Sequence, residues 1–210
     1  MPSTPKCDFE AETILDLDAT KAACRRQAGY RRDELAVLEP DAADILSDHA
    51  AMLVNRYGRV TFAGYIPIRS ELSPLVLLEG LASSGCDLAL PVTPAKGQPL
   101  IFHRWLVNGK LDDGPYGTKQ PPISNEICIP NVILAPMLAF DSNGWRLGYG
   151  GGFYDRTLAA LRDSRKHVVL IGIAYNGQKL NKVPAGPNDM PLDAVLGPAG
   201  LFEPKRSIKN

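Results

Sequence analysis

Short, strongly apolar runs alternate with stretches of helical spacing along most of this chain, and that alternation limits its fold more than any other feature. Residues 131–136 (NVILAP) and 167–174 (HVVLIGIA) are apolar almost throughout, as strands covered on both faces must be. Residues 59–65 (RVTFAGY) and 87–91 (DLALP) read as two further strands, 100–105 (LIFHRW) alternates in the manner of a half-buried one, and 192–196 adds a short one. Between them the spacing predicts helices over 21–38, 42–55, 72–83 and 154–162, the first entered through an N-cap in residues 18–20. Elements in this order predict a three-layer α/β/α fold with a largely parallel central sheet. A length of 210 residues suits one substantial core, so a single domain is expected over 18–203, with a loose lead-in over 1–17 and a tail over 204–210.

Charge is balanced, 23 Lys and Arg against 23 Asp and Glu. No overall field draws such a protein to nucleic acid or a membrane surface, and any anionic ligand must be held by local groups. Cys7, Cys24, Cys86 and Cys128 are scattered, with no paired spacing and no histidine spacing that suggests zinc; they read as reduced thiols of a cytoplasmic protein. The N-terminus lacks the basic-then-apolar run of a secretion signal, and no apolar stretch reaches the roughly 20 residues of a membrane-spanning helix.

The segment RLGYGGGFYDR (146–156) places four glycines, Gly148, Gly150, Gly151 and Gly152, in five positions between an expected strand and an expected helix. Clustered glycine marks a backbone that bends sharply or approaches a ligand closely. Neither standard nucleotide motif is met: counted from Gly148, the third glycine of G-x-G-x-x-G falls on Phe153, and GxxxxGK[ST] is absent. The ingredients of a phosphate site are nevertheless present. Backbone N–H groups can converge on an anion, a helix N-terminus stands behind them, Arg146 and Arg156 can neutralise it, and Asp141 and Asp155 flank the loop as carboxylates for Mg2+. A Gly-rich turn with its charges in water, Asp155 merely capping the helix, is the alternative on these residues alone. In open parallel sheets ligands collect beyond the carboxyl ends of strands, where both this loop and residues 67–71 (PIRSE) fall.

Residues 135–159, APMLAFDSNGWRLGYGGGFYDRTLA, resemble the signature of the 5-formyltetrahydrofolate cyclo-ligase family, also called 5,10-methenyltetrahydrofolate synthetases. The basic pair Lys21 and Arg25, the segment YIPIRSELSP (65–74), the loop YGTKQP (116–121) and the closing segments IAYNGQ (173–178) and NDMPLDAV (188–195) resemble further family segments in the same order. Three positions depart from the family's usual residues: Tyr149 stands for arginine, Gln120 for glutamate and Asn188 for histidine.

The resemblance implies ATP-dependent conversion of 5-formyltetrahydrofolate to 5,10-methenyltetrahydrofolate, ADP and phosphate, with Mg2+ accompanying ATP. It implies that Lys21, Arg25 and Arg146 contact the triphosphate, that the backbone of Gly148, Gly150, Gly151 and Gly152 cradles it, and that Asp155 lies beside it. Asp141 is then the first candidate for the metal, followed by Asp155 and Asp193. Glu71 would orient the reduced pterin or its formyl group, acting with Arg146 as the catalytic pair, and Tyr116, Phe153 and Tyr154 would offer aromatic surface. The expected partners are these small molecules, acting on a monomer. Two other classes compete: a sugar-phosphate isomerase or acyl-transfer enzyme using the loop without ATP, and a nucleotide-binding regulatory module without turnover. Lys21 with Arg25, and Asp141 with Asp155, favour a Mg-triphosphate over a single phosphate. No role is expected for His49, His103 or His167.

Overall fold

The computed structural model describes residues 8–164 and 167–205. Its first helix, α1 (Asp8–Leu38), runs for 31 residues. The cap expected at residues 18–20 is therefore interior to a helix. The lead-in expected over 1–17 is helical from Asp8 onward, while residues 1–7 lie outside the described ones. No proline or glycine occurs between Asp8 and Ala28, so no residue in that stretch interrupts helical bonding. The single helix expected over 42–55 is two, α2 (Ala42–Ser47) and α3 (Ala50–Tyr57). At the junction the N–H groups of Asp48 and His49 reach back to the carbonyls of Ile45 and Leu46, a tighter turn that breaks the ladder.

Strand β1 (Thr61–Ala63) leads to α4 (Leu75–Ser83), which starts later than expected because Pro74 sits at its N-cap. Then follow β2 (Asp87–Val92), β3 (Ile101–Arg104), the small hairpin β4 (Asp112–Asp113) and β5 (Lys119–Gln120), β6 (Ile127–Cys128) and β7 (Val132–Pro136). A second hairpin, β8 (Ala139–Phe140) with β9 (Arg146–Leu147), precedes α5 (Phe153–Asp163), β10 (Val169–Ile173), β11 (Ala194–Gly197) and β12 (Gly200–Phe202). The main sheet has eight strands in the order β12-β11-β10-β7-β1-β2-β3-β6. Its five central strands, β11 to β2 in that order, pair in parallel, and the marginal pairs β12 with β11, β3 with β2 and β6 with β3 are antiparallel.

Two-residue periodicity divides the strand side chains between two cores. Phe62, Leu88, Leu90, Leu134, Ile171 and Ile173 point to the side of α2, α3 and α4, where Leu46, Leu53, Leu77 and Leu81 complete one cluster. Their neighbours Ala63, Ala89, Ile133, Ala135 and Leu170 face the other way, towards Leu158 of α5. Helices on both faces make the three layers that the alternation predicts. The many alanines opposite α5 let one helix lie close to the sheet, and Gly172 of β10 allows closer approach still. A Cβ there would meet the Met137 side chain and stand 2.8 Å from Leu192 Cδ1.

The strand order turns at β1, which has β2 on one side and β7 on the other. The segments leaving these two strands, 64–74 and 137–152, go to opposite sides and leave a crevice between them, the usual place for a ligand in an open parallel sheet. Helix α1 bears on this crevice. Lys21, Arg25, Ala28, Arg32 and Leu35 follow one another at intervals of four and three, so they share a helical face. Leu35 anchors that face in the main core, and Ala28 packs with Leu138, Ala139, Leu147 and Val183 of the β8–β9 region. Among the described residues no helix is long and apolar enough to cross a membrane.

Candidate active site

The glycine loop does not follow the apolar strand β7 directly, because the β8–β9 hairpin intervenes. Two of its glycines are required by backbone conformation: Gly150 has φ +100° and Gly152, at the N-cap of α5, has φ +64°. Against this loop lies the basic face of α1. Arg25 Nε donates to the Gly148 carbonyl at 3.0 Å, and its guanidinium lies 3.2 Å from where a side chain on Gly150 would begin. One turn earlier, Lys21 Nζ meets Asp189 Oδ2 at 2.5 Å, and the same oxygen accepts the Gly186 N–H at 2.6 Å. Of the expected pair, Arg25 meets the glycine loop and Lys21 meets the closing segment.

Arg146, on β9, donates to Asp155 Oδ1 at 2.7 Å and to the Met190 carbonyl. Met190 returns its own N–H to Asp155 Oδ1 at 3.0 Å. The closing segment 186–190 is thus tied to the site by both Lys21 and Arg146. Asp189 is a site carboxylate that sequence reasoning missed, although it lies inside a segment noted for its resemblance.

On the other side of the crevice stands Glu71, 8% exposed. It accepts the Ile68 N–H at 2.9 Å through Oε2, while Oε1 lies 3.8 Å from Arg32 NH1. Burial pushes its carboxyl above the usual range, against the opposing pull of the Ile68 N–H, Arg32 and Arg69. The Tyr154 phenol, in the first turn of α5, is also pushed up, first by burial and then by the charge of Glu71, with Arg146 acting the other way. Both Arg146 and the buried carboxylate of Glu71 therefore act on the Tyr154 phenol. Tyr65, at the end of β1, is likewise held well above its ordinary value by burial and by Glu71.

Tyr116 is 71% exposed and its ring stands 6.5 Å from that of Phe153, so the two expected aromatic groups do come together. Tyr116 has φ +60°, and Arg69, beside Glu71, has φ +53°. These are two of the three non-glycine residues with positive φ among those described, and such strain collects where a side chain must be presented in a set direction. Arg156 lies over Phe153 at 5.3 Å and donates to the Gly151 carbonyl at 2.6 Å.

The expected metal carboxylates do not converge, and among the described residues no three His, Cys, Asp or Glu side chains gather as a metal group. Asp141 is fully buried, and its oxygens accept the N–H groups of Asn143 at 2.9 Å, Trp145 at 3.2 Å and Val183 at 3.0 Å. It organises the β8–β9 turn. Asp193 accepts the Leu170 N–H at 2.8 Å at the amino-terminal ends of β10 and β11, the sheet edge opposite the crevice. Of the three, Asp155 alone adjoins the glycine loop.

Sequence reasoning also missed Arg32, 2% exposed, and a cleft of about 340 Å³ lined by Arg25, Arg26, Arg32, Arg69, Tyr30 and Tyr149. The four-and-three spacing that puts Lys21 and Arg25 on the docking face of α1 continues to Arg32 and was the available signal. Tyr149, in the position where the family often has arginine, has the Arg32 and Arg69 guanidiniums 5.3 and 5.6 Å from its ring centre.

Fold and site together define an α/β protein that gathers cations and a buried carboxylate at the switch point of its sheet. Residues 18–198 match the model of the 5-formyltetrahydrofolate cyclo-ligase family. A 5-formyltetrahydrofolate cyclo-ligase of Mycoplasma pneumoniae is 40% identical over 179 residues, which are 84% of this chain and 97% of that protein. The 5-formyltetrahydrofolate cyclo-ligase of Escherichia coli (strain K12) is 30% identical over 181 residues, 82% of this chain and 98% of that one. In fold, the chain is similar to the NMR structure of Aquifex aeolicus 5,10-methenyltetrahydrofolate synthetase, with a TM-score of 0.69 over 90% of this chain and 96% of that one at 24% identity. The chain belongs to the 5-formyltetrahydrofolate cyclo-ligase family.

Proposed function

We propose that this protein cyclises 5-formyltetrahydrofolate to 5,10-methenyltetrahydrofolate at the expense of ATP, releasing ADP and phosphate. The formamide oxygen is a poor leaving group. Attack of that oxygen on the γ-phosphate turns it into a phosphate ester, which departs as phosphate once N10 has closed the ring on the formyl carbon. Phosphoryl transfer asks mainly for positioning and charge neutralisation, and this site is rich in both. Lys21, Arg25 and Arg146 take the triphosphate against the backbone of the glycine loop. Glu71 accepts hydrogen bonds from the reduced pterin, and Tyr116, Phe153 and Tyr154 offer aromatic surface to the ring system. The observation that carries this reading is the meeting of the basic face of α1 with the glycine loop, Arg25 Nε donating to the Gly148 carbonyl at 3.0 Å, in the crevice that also holds the buried carboxylate of Glu71.

Mg2+ would enter with ATP and neutralise charge between the phosphates. Asp155 and Asp189 fit it best, since each now pairs with a cation, Arg146 and Lys21, that a triphosphate would draw away. In this reading Asp141 and Asp193 serve the fold. The deciding assay follows the absorbance of the methenyl product with and without ATP. Product that forms only with ATP and Mg2+ supports the proposal, and its absence under both conditions ends it.

A further inference from the structure

Arg32 joins three segments that meet in the crevice. From α1, its Nε donates to Ser70 Oγ at 3.1 Å in the segment after β1. NH1 donates to the Met137 carbonyl at 3.3 Å after β7, and NH2 donates to the Tyr149 hydroxyl in the glycine loop. A lysine ammonium could not match this fork of donors, which uses the planar shape of the guanidinium. All its close contacts are to neutral acceptors. Of the carboxylates around it, Glu71 is 3.8 Å away, beyond a hydrogen bond but well within electrostatic range, while Asp33 accepts from the Ser70 hydroxyl and is linked to Arg32 only through it.

We infer that Arg32 is a positioning residue for the reaction: it supplies the charge that keeps Glu71 ionised without occupying Oε1, so that this oxygen is left to accept from the substrate. The inference rests on the reading of Glu71 as a pterin contact. A carboxylate so deeply buried tends to take up a proton unless a cation compensates it. The groups facing Glu71 are few. Arg69 belongs to its own segment, is exposed, and has its guanidinium against the Tyr149 ring, so solvent screens part of its charge. Tyr65 at the end of β1 and Tyr154 in α5 are phenols held above their ordinary range and stay neutral, Arg146 lies beyond Tyr154, and the Ile68 N–H donates to Oε2. Arg32 is the buried cation of the set. It also ties the loop holding Glu71 to the loop holding Tyr149, which fixes the direction of the carboxylate.

Two readouts test this. The first is the pH profile of kcat/KM for 5-formyltetrahydrofolate. Loss of a nearby cation disfavours the carboxylate, so in Arg32→Gln the protonated form of Glu71 persists to higher pH. The acid limb should move up by about one unit or more, with about a tenfold loss on its acid side. Arg32→Lys keeps the charge and should leave the limb close to wild type, whatever it costs in kcat. The second readout is the infrared band of the Glu71 carboxyl, identified by its loss in Glu71→Gln and titrated in protein without substrate. It should shift in Arg32→Gln in step with the limb. An unmoved limb and an unmoved band in Arg32→Gln would overturn the inference, as would an equal shift in Arg32→Lys. A band that moves while the limb does not would uphold the effect on Glu71 and overturn its role as a pterin contact. Should Arg32→Gln not fold, the wild-type band decides: Glu71 ionised at the pH of full activity supports the inference, and Glu71 protonated there refutes it.

Discussion

Arg146 and Arg32 each face one carboxylate across the same crevice, yet the two carboxylates differ in their access to water. Arg146 touches Asp155 at 2.7 Å, with 6% and 25% of the two side chains exposed where α5 begins. Arg32 stands 3.8 Å from Glu71, with 2% and 4% of the two side chains exposed. Water reaches the carboxylate of the first pair, so Asp155 can part from Arg146 at less cost than Glu71 can lose Arg32. In the interior no water takes the place of a lost partner, so the second pair sets a standing field and is poorly suited to exchange. One crevice thus holds the same residue type in a pair with a partly hydrated carboxylate and in a fully buried pair.

The contrast can be broken by removing each arginine in turn. Arg32→Ala leaves the buried Glu71 without its nearest cation and should cost about 3–5 kcal/mol of stability at neutral pH, read from urea unfolding. The cost should shrink as pH falls through the raised titration of Glu71, because a neutral carboxyl needs no partner. A loss below about 1 kcal/mol, the scale of an exposed pair, would erase the distinction. Arg146→Ala should weigh most on turnover, lowering kcat about 10²- to 10³-fold. Near wild-type kinetics would take Arg146 out of the site.

Two smaller effects sharpen the same division. Asp141→Asn exchanges an acceptor of three backbone N–H groups for an amide with one acceptor oxygen, and about 1–3 kcal/mol of stability should be lost. The Mg2+ concentration for half-maximal rate should stay where it is in that variant and rise in Asp155→Asn; the opposite pattern would return the metal to Asp141. Tyr116→Ala should weaken folate binding about tenfold, or roughly 1.4 kcal/mol, with ATP binding unchanged, and Tyr116→Phe should bind as wild type. Equilibrium titration with each ligand separates these outcomes, and equal losses for both ligands would make Tyr116 structural.

Much of the fold was legible because its causes are local. Residues 131–136 and 167–174 read as strands covered on both faces, and their side chains do divide between the two cores. Helix α4 begins later than its spacing suggests because of Pro74, itself a local signal. The joint between α2 and α3 has no comparable mark in the sequence. The motif residues came through in the same way. Arg25 meets the glycine loop and Tyr116 meets Phe153, as their segments suggested.

What the chain alone could not decide was which charged groups meet. Asp141 beside a glycine loop has the same local pattern whether it holds a metal or a turn, and only the approach of Val183, 42 residues later, turns both its oxygens to the backbone. Arg32 reaches Met137 and Tyr149 across 105 and 117 residues. Those separations are closed by the order of strands in the sheet, which places β7 beside β1 and lays α1 over the gap. Periodicity and turn chemistry act over a few residues and are written in the sequence. The burial and the field around Glu71 come from segments far apart along the chain, and they exist only once the sheet has brought those segments together.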